Sequence, residues 1–186
     1  MHLLVSLSVV AVLLASPASG QARTDAKKVE LDGLLTALAQ APDTASAGRI
    51  EGRVRGIWLQ SGSAAATLLM GRGVRDLNNE AFEEAEADFD AALVLEPELA
   101  DGFAHRAVAR FGRGDYAGAV ADIGETLKRE PRHFVAFESL SRIAEARGDF
   151  TGALAAWKQA LVISHKTEGG EERAKLLEKK AFGEAT

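Results

Sequence analysis

The chain has no cysteine, which excludes a disulfide framework, thiol chemistry and a lipid-modified cysteine anchor. It also lacks a basic excess: 22 Lys and Arg against 27 Asp and Glu leave a net charge of −5, which argues against a nucleic-acid binder. Histidine is scarce. His105, His133 and His165 are not three or four residues apart on one helical face, so no preformed metal site is expected and they read as surface histidines. A phosphate-cradling glycine loop, a glycine-flanked serine nucleophile and a zinc-protease helix motif are all missing from the sequence. The expectation is therefore a chain that is not an enzyme, with no catalytic residues and no cofactor.

Long apolar runs are also scarce. The sequence has one, LLVSLSVVAVLLA at positions 3–15, and it is shorter than the ~20 residues that span a bilayer. Ser16, Pro17, Ala18, Ser19 and Gly20 follow it. An apolar segment with a small-residue exit reads as a secretory signal at 1–22, removed after Gly20 or Ala22. The rival is an uncleaved amphipathic anchor, since His2 stands where a Lys or Arg is usual. Export to a secreted or periplasmic location is expected, with no stable membrane span after cleavage.

What is present is a repeat. Thirty-four residues separate Pro97 from Pro131, Ala85 from Ala119, and Tyr116 from Phe150. With Ala66, Ala100 and Phe134 as first positions, the eighth is small (Gly73, Ala107, Ser141) and so is the twentieth (Ala85, Ala119, Ala153). Small residues facing each other let two antiparallel helices approach closely. The fourth, seventeenth and twenty-fourth positions carry bulk: Leu69, Phe103 and Phe137; Phe82, Tyr116 and Phe150; Phe89, Ile123 and Trp157. Each unit is thus a helix, a turn and a helix. The tripeptide RGD at Arg113–Asp115 and Arg147–Asp149 falls in that turn, where Asp is a natural N-cap, so it reads as structure and not as an adhesion signal.

Comparing the units shows a paired change. The seventh and twenty-third positions are Arg72 with Asp88 and Arg106 with Asp122, but Leu140 with Ala156 in the third unit. Joint replacement of both partners points to two ion pairs between the helices of a unit, exchanged for an apolar contact in the third.

The period and these positions resemble the tetratricopeptide repeat (TPR) family. That resemblance implies an all-α fold, a right-handed α-solenoid of helix hairpins with repeats at 66–99, 100–133 and 134–167. Residues 23–65 read as a helix pair split at Pro42 and capping the first repeat, and residues 168–186 as a solvating C-terminal capping helix and tail, with Leu176, Leu177 and Lys180 laying a thin apolar edge over the last repeat. With His165 in place of proline, the last repeat helix is expected to run on, or fray, toward Thr167.

In the family the first helices line a concave groove. Its positions map here onto Met70, Val74 and Leu77, onto His105, Val108 and Phe111, and onto Glu138 and Arg142. Leu77 and Phe111 alternatively fill the seam between adjacent first helices. The lysine, asparagine and arginine set that some members use to hold a terminal carboxylate is missing except for Arg142. The implied function is an exported adaptor that binds a protein or peptide partner; the alternatives are a self-assembling homo-oligomer or a non-catalytic accessory subunit of an envelope enzyme.

Overall fold

A computed structural model describes residues 17–183, with side chains from Asp25 onward. The apolar run at 3–15, and with it most of the expected export signal, lies outside the described residues. Nine helices and no strand are found among the described residues: α1 (Pro17–Leu38), α2 (Thr44–Leu59), α3 (Ala64–Asn78), α4 (Phe82–Leu95), α5 (Ala100–Gly112), α6 (Tyr116–Arg129), α7 (Phe134–Ala146), α8 (Phe150–Ile163) and α9 (Gly170–Phe182). Hairpins α3/α4, α5/α6 and α7/α8 are the three repeats, in the register set by the 34-residue period.

Local chemistry sets the helix limits. Asp115 and Asp149 cap α6 and α8 by accepting from the N–H groups of Gly118 at 2.9 Å and Gly152 at 2.8 Å. The preceding glycines, Gly114 and Gly148, have φ of +82° and +78°, which costs glycine nothing. In the first repeat the equivalent pair is Glu80 and Ala81. Glu80 takes φ +58° and Ala81 makes no side-chain cap, so the same turn is built there from less suitable residues.

The small residues at the eighth and twentieth positions are all buried, and Phe89, Ile123 and Trp157 pack beside them. The last repeat helix does not run on. It stops at Ile163, in the same register as its counterparts, and the buried Ser164 that follows donates its hydroxyl to Glu51 at 2.7 Å.

Of the two flanking expectations, one is extended and one is corrected. Helix α9 is more than a solvating cap. It packs on α8 in the place of a fourth first helix, with Leu177 fully buried beside Leu154 and Trp157. A Cβ on Gly170 would come within 2.7 Å of Leu161, as one on Gly102 would come within 2.9 Å of Leu93, so the same close contact recurs 68 residues later.

The α1/α2 hairpin, in turn, does not stack as a cap over the first repeat. Its core of Leu35, Leu38, Ala47, Val54 and Trp58 closes on Phe134, Val135 and Ile163 of the third repeat. Beyond Leu59, which joins the α3/α4 core, α2 turns its apolar face toward α7 and the end of α8 instead of toward α3.

Candidate partner-binding face

The first helices α3, α5 and α7 lie side by side, and α2 crosses them near the start of α5 and α7. At one end the Trp58 indole stacks on the His133 imidazole, with ring centroids 3.9 Å apart and an interplanar angle of 9°. Arg55 lies over the Phe134 ring at 5.0 Å and 3.7 Å from the Glu138 carboxylate. At the other end Glu51 accepts from the hydroxyls of Ser164 and Thr167 at 2.7 and 2.6 Å.

Below Trp58 sits a buried polar cluster. His133 is wholly buried, which corrects its reading as a surface histidine. Its Nδ1 accepts from the Ala136 N–H at 3.2 Å and so caps α7, which leaves Nε2 as the protonated nitrogen, 3.3 Å from Asp101 Oδ1. Asp101 is itself buried, and His105 Nδ1 donates to its backbone carbonyl at 2.9 Å while lying 3.4 Å from Oδ2. Burial of Asp101 favours the neutral acid, but His105 and His133 outweigh it and hold the carboxyl far below the ordinary range. Burial likewise disfavours charge on His105, and the Asp101 carboxylate beside it more than compensates, raising its pKa above the usual 6.5.

Glu138 is shifted the other way. Burial and the Glu51 carboxylate raise its pKa, against the pull of Arg55, Arg142 and Arg173.

Of the groove positions read from the sequence, Met70 does not belong to a surface. It is fully buried with Phe89, Ala92 and Ala109, and Leu59 from α2 packs against the same cluster, so no partner can reach it. Val74 and Leu77 are half-buried against that cluster, and Phe111 is half-buried against the next one, 5.8 Å from the Tyr116 ring. Val108 is partly open and Arg142 is exposed. His105 and Glu138 sit where α2 crosses.

Both ion pairs are formed. Arg72 donates through Nε and Nη2 to Asp88. Arg106 donates to Asp122 at 2.9 and 2.6 Å, and Arg110 adds a third bond to the same carboxylate at 2.9 Å. Sequence comparison had not placed Arg110 there, although its counterpart in the third repeat, Ala144, changes together with Leu140 and Ala156.

A curated relative, a TPR repeat-containing protein of Rhizobium etli, is 31% identical over 159 residues, covering 86% of this chain and 78% of its own length. The chain belongs to the TPR family. No family model matches it. Solved TPR structures share the fold at low identity. The Arabidopsis OM64 TPR domain has a TM-score of 0.58 at 18% identity, over 62% of this chain and 95% of its own. The TPR2AB domain of yeast Sti1, in a complex with pHSP90, has a TM-score of 0.55 at 14% identity, over 89% and 66%. No TPR helix among the described residues is long and apolar enough to cross a membrane.

Proposed function

We propose that this TPR protein is an exported adaptor that captures a peptide or partner helix on the face of its first helices, without catalysis of its own. The observation that carries the reading is the strip left open beside α2: Val74, Leu77, Val108 and Phe111, half-buried and apolar, continued by the exposed Arg142. Apolar strips bind extended or helical segments through side-chain anchors, and a cation at the edge selects an acidic neighbour. The yeast neighbour is, by its title, a complex with pHSP90, which agrees with partner binding by this fold. Export rests on the apolar run at 3–15 and its small-residue exit.

The test is a photoreactive amino acid at Val108, compared with one at Val94, which is 80% exposed on the second helix of the first repeat. In cells of the source organism, adducts to a discrete protein are expected from Val108 and not from Val94. Equal labelling at both sites, or none at Val108, overturns the groove reading. Fractionation with intact-mass measurement checks export: the mature chain should begin at Gln21 or Arg23 outside the cytoplasm, and a full-length cytoplasmic product refutes that part.

A further inference from the structure

Helix α2 meets the repeats as a ligand helix would. Glu51, Val54, Arg55 and Trp58 are spaced i, i+3, i+4 and i+7, one face of a helix. Each has a receptor of matching chemistry on another element: two hydroxyls for Glu51, the Phe134 and Ile163 cluster for Val54, the Glu138 carboxylate and the Phe134 ring for Arg55, and the flat His133 imidazole for Trp58. The hydrogen bonds from Ser164 and Thr167 to Glu51 join residues more than 110 positions apart, so they are not a product of chain neighbourhood.

The seat is also incomplete. The Trp58 indole N–H is buried with no hydrogen-bond partner among the described residues, and Arg55 reaches Glu138 only at 3.7 Å. An unmet buried donor weakens the closed arrangement relative to an open one.

We infer that the groove across the second and third repeats is a receptor for an amphipathic helix presenting an acid, an apolar residue, an arginine and an aromatic at this spacing, that α2 is its resident occupant, and that a partner protein's helix of that chemistry binds by displacing the α1/α2 hairpin. The inference goes beyond the adaptor reading: this seat, lined by His133, Phe134, Glu138, Ser164 and Thr167, is distinct from the open strip at Val74, Leu77, Val108 and Phe111. A competent state that is only fractionally populated weakens apparent affinity by that fraction, so the hairpin sets the threshold for capture.

The probe is a fluorescein-labelled peptide with the sequence of residues 43–61, added to the full chain and followed by anisotropy. Two variants move the hairpin in opposite directions. Trp58→Ala removes the stack and should tighten peptide binding about tenfold, if the open fraction rises tenfold. Glu51→Cys with Thr167→Cys, joined by a short bis-maleimide, holds α2 closed and should abolish binding; the native chain has no cysteine to interfere. Should Trp58→Ala reduce helix content by circular dichroism, Arg55→Ala replaces it and the closed variant still decides.

Peptide binding that persists in the closed variant overturns displacement. Failure of the peptide to bind any folded form overturns the receptor assignment, whereas the adaptor reading stands or falls separately on labelling at Val108. If light scattering instead shows dimers that grow with concentration and disappear on closing the hairpin, the occupant is α2 of a second copy and the partner-helix assignment is wrong.

Discussion

The junction between the first and second repeats and the junction between the second and third are built at equivalent positions from opposite chemistry. In the first, Arg106 spans from Asp122 in its own repeat to Asp90 in the previous one, Arg110 spans from Asp122 to Glu86, and Arg113 also pairs with Glu86. Thirty-four residues on, those arginine positions are Leu140, Ala144 and Arg147, and Glu86 is matched by Val120. There Leu140 and Ile143 join Leu127 in an apolar cluster, beside a crevice of 290 Å³ that Val120 also lines. One scaffold therefore tolerates either solution. The ionic one holds only as a whole, since a buried carboxylate shared by two arginines cannot lose a member without stranding the others.

The largest effect that tests this contrast is loss of the shared carboxylate. Asp122 is 2% exposed, and Asp122→Ala should cost about 3–5 kcal/mol, as for breaking a buried pair. Asp88 holds the equivalent place at the open end of the array, but its partner Arg72 has a side chain 56% exposed and recovers water when released. Asp88→Ala should therefore cost about 1 kcal/mol or less. Urea unfolding of both variants checks the ranking, and equal losses would mean that the cross-repeat network adds nothing.

Copying the second junction into the first is the next test. Glu86→Val, Arg106→Leu, Arg110→Ala and Asp122→Ala together should return stability to within about 1 kcal/mol of the parent, because no buried charge is then stranded: Asp90 and Arg113, which lose partners, are exposed to water. Strictly additive losses would show that the two chemistries are not interchangeable.

A smaller effect lies in the turns. Glu80→Gly with Ala81→Asp gives the first repeat the turn of the other two, removing a left-handed non-glycine residue and adding an N-cap. A gain of about 1–2 kcal/mol is expected in the same assay, and no gain would place the difference between repeats elsewhere.

The smallest concerns pH at the far end of the second junction, where Asp101 of α5 meets His133 before α7, with His105 on its other side and Arg55 of α2 nearby. The folded-state pKa of His105 is raised, so its contribution is full below the unfolded value of about 6.5 and fades as pH rises through the folded value. The parent should lose a little stability as pH climbs through that window. His105→Gln should remove this slope, and an unchanged slope would assign it to another group.

Much of the array was legible because its signals are local and repeated. Gly73, Ala107 and Ser141 marked the close helix contact, and the joint change at Arg106 and Asp122 marked a contact between helices. The fourth first helix was also written in the sequence, as Gly170 standing 68 residues from Gly102, but without the bulky and small positions that follow in a full repeat. Met70 misled because its position faces a groove in the general pattern, whereas here Leu59 packs against its cluster.

Sequence by itself determined what periodicity can encode: helix type, repeat register, the turn residues and the within-repeat ion pairs, all interactions between positions a fixed distance apart. Tertiary structure decided where the aperiodic part goes. Nothing in the spacing of Glu51, Arg55 and Trp58 names Thr167, Glu138 or His133 as their partners, since those contacts join segments with no common period. They form only once the folded repeats bring the starts of α5 and α7 and the end of α8 to one surface, which an amphipathic helix can then bury.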